Sequence, residues 1–276
     1  MRFKGVKFIY NAFVGIIMKR AILFISVLLF IFVLAGCAQK VATENTPPAT
    51  TPAQETQTTQ EPVQTPQETP ITFSIPKKTP HYESNVPFHA SILAGVPINV
   101  VINFNYDVAN GSSISIQKDS QEYGTGEILF DFNNLAMRRA MKNDAPNGVY
   151  LVNYKACWPD GSCHDGYFQF AIDRAKAGDF TDFRNESEVT ISLEQISFKP
   201  RDIIINKGTK VTWVNNENVP HTINSDPHAG HNYFSEQNSG TLNKGDEFSL
   251  VLGKEGIYPY HCSYHASTMK GSIIVE

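Results

Sequence analysis

Short runs of alternating apolar and polar residues recur along most of the chain, each closed by a turn signal. Residues 88–93, 97–104, 113–117, 148–156 and 166–172 fit strands. Further on, 211–224 reads as a strand, a polar turn and a His opening the next strand. Residues 256–262 read as a strand that ends on Cys262, and 269–276 as a closing strand. Strands at this spacing predict an all-β chain, with a β-sandwich domain over 73–173 and a second strand-rich domain over 187–276. One stretch departs from the pattern: 135–142 has helical character, soon broken by Asp144, Pro146 and Gly148. A charged connector, 174–186, lies between the domains, and its two phenylalanines predict partial packing.

The strand pattern is missing from the N-terminal quarter. Lys19 and Arg20 precede an apolar run that ends in Leu34, Ala35, Gly36 and Cys37. A basic start followed by a short apolar run is the pattern of a secretory signal, here spanning 1–36. The run from Ala21 to Ala35 is shorter than the roughly 20 residues a membrane span needs. Leu-Ala-Gly-Cys resembles the lipobox of prokaryotic lipoproteins, which implies lipidation of Cys37 and a lipid-anchored, extracytoplasmic protein. Met18, directly before Lys19, makes a compact start for such a signal, so translation from Met18 is expected rather than from Met1. Residues 37–72, rich in Thr, Pro and Gln, hold too little apolar surface to fold and read as a disordered linker. As a flexible coil it would average roughly 30 Å end to end. It serves equally as a swinging tether or as a spacer across the envelope.

The C-terminal pattern places chemistry at defined positions. Cys262, His265 and Met269 share one loop, and His221 stands about forty residues upstream at the head of a strand. Alone, Cys-x2-His fits a buried hydrophobic Cys beside surface imidazoles just as well. With His221 and Met269 added, the set is one thiolate, two imidazoles and a thioether. Those are the donors of blue-copper electron-transfer sites, with the Met as a weak axial ligand. These stretches resemble the cupredoxin family, the plastocyanin, azurin and amicyanin type. The resemblance implies that the second domain, 187–276, is a Greek-key β-sandwich that binds one type 1 copper through His221, Cys262, His265 and Met269. It also implies an apolar docking patch around His265. Alternation along 256–262 turns His261 away from the metal, toward the surface or behind the ligands, and sets Tyr258 and Tyr260 on the face of Cys262.

Residues 145–170 run Pro146, Asn147, Gly148, Tyr150, then Asp160, Gly161, His164, then Gly166 to Phe170. This order resembles the copper-resistance sandwich domains of the CopC type, in which an N-terminal His and a His after Asp-Gly bind Cu(II). Here Ser162 and Cys163 separate Asp-Gly from His164, and His81 lies inside the chain. Two readings stand: a joint metal site of His81, His89 and His164, or a copper-free structural module. With Cys37 and Cys262 assigned, Cys157 and Cys163 remain, flanking a turn signal. In an exported protein they predict a disulfide contributing about 2–2.5 kcal/mol by the loop-entropy estimate. A redox-active or copper-binding thiol pair is the rival, and Cys-x5-Cys is not its spacing.

A net charge of −4 gives no footprint for nucleic acid. His228 and His231, in the loop after His221, could form a second, solvent-exposed metal site or remain solvated. The sequence carries no hydrolytic triad, no phosphate-binding Gly loop and no extra His clusters of copper enzymes, so an enzyme is not expected. The expected function is one-electron transfer between extracytoplasmic redox proteins or membrane electron-transfer complexes. The alternative is copper carriage, storage or resistance, and a copper-loaded interaction module is a third reading.

Overall fold

The computed structural model describes residues 70–276. The segment read as a signal (1–36), the lipidation site Cys37 and nearly all of the linker (37–72) lie outside the described residues.

The first sandwich is built from β1 (Tyr82–Val86), β2 (Ile92–Leu93), β3 (Asn99–Phe104), β4 (Ser113–Lys118), β5 (Gln121–Glu122), β6 (Gly124–Phe130), β7 (Ala136–Met141), β8 (Gly148–Cys157) and β9 (Cys163–Ile172). Its sheets run β1-β3-β7-β6 and β2-β9-β8-β4-β5. Period-two patterning forms the core: Tyr150, Val152, Tyr154 and Ala156 of β8 face inward with Phe168 and Phe170 of β9. These two strands pair antiparallel from Gly148↔Ile172 to Cys157↔Cys163. A disulfide joins Cys157 to Cys163 at the end of the hairpin. Gly161 makes the turn between them at φ +86°, a conformation that favours glycine.

The helical expectation for 135–142 is corrected. Residues Ala136–Met141 form β7, paired antiparallel with β3 on one side and β6 on the other. Ala, Met and Arg prefer helix, but burying Ala136, Met137 and Met141 in the sheet core outweighs that weak preference.

The second sandwich contains β10 (Thr181–Asp182), β11 (Glu188–Leu193), β12 (Phe198–Lys199), β13 (Asp202–Ile205), β14 (Lys210–Asn215), β15 (Asn224–Ser225), β16 (Glu247–Val251), β17 (Gly256–His261) and β18 (Lys270–Val275). Its sheets run β10-β13-β18-β17-β15 and β12-β11-β14-β16. Three pairings are parallel, β11 with β14, β13 with β18 and the short β10 with β13. The ring of Tyr260 fills the centre, 5.6 Å from Trp213 and 4.7 Å from Phe198. The connector does more than pack. Its Phe183 lies against the core, and Thr181–Asp182 pair parallel with β13 as an edge strand.

The two sandwiches meet along a buried, largely apolar seam. Val86, Ile98, Val101 and Ala136 of the first belong to the same buried cluster as Trp213 and Tyr258 of the second. Tyr233 is fully buried there. Its hydroxyl donates to the Ile257 carbonyl at 2.8 Å and accepts from the Ile98 N–H at 2.8 Å.

Candidate metal centre

The strand β17 delivers Cys262, and a 3-10 turn, Ser263–His265, follows at once. Backbone hydrogen bonds close the loop on itself: Cys262 N–H to the Met269 carbonyl (3.0 Å), His265 N–H to the Cys262 carbonyl (3.0 Å) and Met269 N–H to the His265 carbonyl (2.9 Å). His221 comes from the segment just before β15, the neighbour of β17 in its sheet, and is pinned by a two-way backbone bridge to Leu242 at 3.0 and 2.8 Å. A third tie is polar: Thr222 Oγ1 accepts from the Ser263 N–H at 2.8 Å, and Asn224 Nδ2 donates to Ser263 Oγ at 2.6 Å.

This scaffold brings His221, Cys262 and His265 together, with one ligand atom from each within 4.8 Å of the others. The Cys262 Sγ lies 3.5 Å from His221 Nδ1 and 3.6 Å from His265 Nδ1. Thiolate and imidazole held at ordinary bond lengths in one trigonal plane around an ion would stand roughly 3.7 Å apart. The donors therefore wait near their bound separation. His221 and Cys262 are wholly buried and Met269 nearly so, which leaves His265 as the half-buried member. The Thr222 N–H donates toward Sγ from 3.4 Å and so helps to fix the position of the sulfur.

A residue not picked out by the sequence reading completes the set. Glu217 Oε1 sits 2.6 Å from His221 Nε2. The carboxylate accepts from that nitrogen, so the lone pair is on Nδ1, facing Cys262. Burial alone would raise the Glu217 carboxyl; N–H donors from Ile196 and Gln195, with the His221 ring, hold it below the usual carboxylate range. Gln195 and Ile196 both have positive φ, 55° and 52°, which turns two consecutive N–H groups onto the carboxylate. The available signal was the spacing Glu217-x3-His221.

A family model described as copper binding proteins of the plastocyanin/azurin family matches residues 185–276. Plastocyanin of Scenedesmus fuscus is 35% identical over 98 residues, covering 32% of this chain and 100% of that protein. The chain belongs to the plastocyanin/azurin family of copper-binding proteins. Amicyanin of Paracoccus denitrificans is 25% identical over 91 residues, 33% of this chain and 67% of that protein. The solved purple cupredoxin from Nitrosopumilus maritimus is 30% identical, covers 33% of this chain and 100% of that one, and has a TM-score of 0.27. A second family model, the CopC domain, matches residues 82–173.

The donor chemistry fits the family's cofactor, one copper ion. A soft thiolate and two imidazoles suit copper in either oxidation state. In the CopC-like sandwich the three candidate histidines do not converge. His81 stacks on Tyr106 at 4.8 Å and bonds Asn105, His89 Nδ1 accepts from the Gln169 N–H, and His164 lies on the exposed start of β9. Neither of the two convergent three-donor clusters among the described residues includes them.

The second of those clusters corrects the reading of His261. It does face away from Cys262, yet it is buried, not at the surface. The loop carrying His228 and His231 folds over it, and one ring nitrogen of each of the three lies within 4.8 Å of the others. Desolvation, with His261 and His228 as neighbours, lowers His231 to about 4.

Proposed function

We propose that this protein is a type 1 copper electron carrier working outside the cytoplasm, with copper held by His221 Nδ1, Cys262 Sγ and His265 Nδ1 and with Met269 as the axial group. The observation that carries the reading is the preformed, largely buried convergence of His221, Cys262 and His265 around one point. Copper bound there supplies a one-electron couple. The chain's part is to keep the donors still: the closed 262–269 loop, the Leu242 bridge and the Glu217 bond leave them little freedom to rearrange between oxidation states. His265, half-buried among buried partners, is the route by which an electron reaches the surface. Exposed Tyr264 beside it and Val219 near His221 offer the apolar contact a redox partner would use.

The partners are extracytoplasmic redox proteins or membrane electron-transfer complexes, reached from a lipid anchor on Cys37 by way of the 37–72 linker. Two sandwich domains, 73–173 and 187–276, are the working units, joined by 174–186. The leader is supported by Leu34-Ala-Gly-Cys37 and tested by the mass of the mature N-terminus, which has to begin at Cys37.

A second reading, copper carriage or storage, is favoured by the CopC-domain match over 82–173. One experiment separates the two. The metal-free protein is titrated with Cu(II) and followed by visible absorption, then reduced and challenged with a Cu(I) chelator. An electron carrier develops an intense thiolate-to-copper band, keeps its copper when reduced and exchanges electrons rapidly with itself. Ready loss of Cu(I) would transfer the assignment to copper carriage, and absence of the band would end the blue-copper reading.

A further inference from the structure

We infer that His228, His231 and His261 form a second site for a divalent transition-metal ion, with Cu(II) the tightest-binding, separate from the Cys262 centre. The inference does not rest on electron transfer at that centre.

The geometry is that of a preorganised three-imidazole site. His261 is buried on the face of β17 opposite Cys262. Its Nδ1 lies 2.8 Å from Asp226 Oδ1. The carboxylate can only accept, so Nδ1 bears the hydrogen and Nε2 the lone pair. A carboxylate behind a His is the arrangement that orients metal-binding imidazoles. That lone pair faces His228 Nδ1 at 3.2 Å. Two imidazole nitrogens on one tetrahedral ion stand roughly 3.3 Å apart. Without an ion, the His228 Nδ1–H donates across that gap; to ligate through Nδ1 the same neutral ring carries its hydrogen on Nε2 instead. The His231 ring is the third donor, anchored through Nε2 to Ser263 Oγ at 3.1 Å.

The loop that carries two of these ligands is built under constraint. His231 has φ 45°, a conformation uncommon for a residue with a side chain. The Asn238 amide donates to its carbonyl at 2.6 Å, and its own N–H donates to the Pro227 carbonyl at 2.8 Å. The first sandwich takes part: Asn232 Nδ2 donates to Asn103 Oδ1 and Asp131 Oδ2, both at 2.7 Å. A cavity of about 580 Å³, bordered by Asn103, Asp131, Arg138 and His231, opens beside the cluster and gives an ion access. Burial grades from His261 inward to exposed His228, so a fourth coordination position is open to water. Three neutral nitrogens select zinc, copper or nickel over magnesium or calcium, and copper heads the divalent affinity order.

The test uses the full chain, stripped of metal and titrated with Cu(II) alone. Visible absorption reports the Cys262 centre, and metal analysis after desalting reports the total. Wild type is expected to reach full colour at one copper and to retain two. His228→Ala, at an exposed position, is expected to keep its colour and to hold the second copper at least about tenfold more weakly. Asp226→Asn is expected to weaken it about 10–100-fold. Colour in each variant reports that the domain has folded. Retention of a single copper by wild type overturns the proposal, as does a second copper held undiminished in both His228→Ala and His231→Ala. If no colour develops at any loading, the blue-copper reading fails by itself. The difference in retained copper between wild type and His228→Ala still decides the second site.

Discussion

Glu217 sets up the most informative perturbation, because its charge sits behind His221, a proposed copper ligand, without reaching the proposed ion position. The carboxylate oxygen is 2.6 Å from His221 Nε2. The imidazole adds about 4 Å between Nε2 and an ion on Nδ1, so charge and ion are roughly 6.5 Å apart. At an effective dielectric constant of about 20, one unit charge at that distance is worth about 2.5 kcal/mol; at twice that screening it is about 1.3 kcal/mol. For a one-electron couple these energies correspond to roughly 110 and 55 mV. The sign follows from the charges. The oxidised centre is one unit more positive than the reduced one, so the carboxylate stabilises the oxidised form more.

Glu217→Gln is therefore expected to raise the reduction potential by roughly 50–110 mV. The Gln carbonyl can still accept from His221 Nε2, so the colour is retained. A Gln has one acceptor oxygen where Glu217 uses two for Gln195, Ile196 and His221. Some loss of copper affinity, about 10–100-fold, accompanies the shift. The assay is a redox titration of the visible band, repeated at low and high salt. Because Glu217 is 21% exposed, most of the shift should survive high salt. An unchanged potential with intact colour, or a lower one, would refute the electrostatic role.

Other outcomes follow from the same structure. Cys262→Ser should abolish the visible band, whereas Met269→Leu should keep it and raise the potential, since it removes only the axial thioether; a colourless Met269→Leu protein would show that the axial assignment is wrong. Tyr233→Phe should destabilise the chain by about 2–4 kcal/mol in denaturant unfolding, because the Ile98 N–H and the Ile257 carbonyl lose their shared buried partner. Burial alone would raise the Glu122 carboxyl, but hydrogen bonds from Ser115, Ile116 and Gly124, with Arg139 nearby, hold it below the usual range. A depressed carboxyl stabilises the fold above its unfolded-state value and loses that contribution as pH falls through its folded one. Glu122→Gln should therefore be less stable than wild type at pH 7, with the gap narrowing below about pH 5.

The all-β architecture was legible because period-two burial follows directly from the order of apolar residues, as in β8 and β9. The His221, Cys262, His265 cluster was legible too, since three of the four candidate donors share one short loop whose spacing limits where they can point. What escaped the sequence depends on contacts between distant segments. The strand β7 has a helix-favouring composition, and only the flanking strands β3 and β6 make it extended. Glu217 meets His221 because Gln195 and Ile196, some twenty residues earlier, turn their N–H groups toward it. Alternation turned His261 away from Cys262 correctly, but it says nothing about what covers the far face of the strand.

That far face gives the first sandwich a part in the chemistry that its own histidines do not supply. Its sequence resemblance drew attention to His81, His89 and His164, but the first stacks on Tyr106, the second bonds the Gln169 N–H and the third stands exposed at the start of β9. Its contribution lies instead at the seam. Lys254 Nζ donates to the Ile98 carbonyl at 3.0 Å, Ile257 N–H to the Val96 carbonyl at 2.8 Å, and Asn232 reaches Asn103 and Asp131. The first two contacts fix β17 and its approach, and the third fixes the loop that folds over it. Since β17 ends on His261 and leads directly into Cys262, the first sandwich braces one strand that serves both three-donor clusters. Coupling of this kind explains why the sandwiches share a buried core in place of a flexible hinge. Loosening the seam should therefore disturb metal affinity at the His261 cluster before it disturbs the colour of the Cys262 centre, whose loop closes on its own backbone.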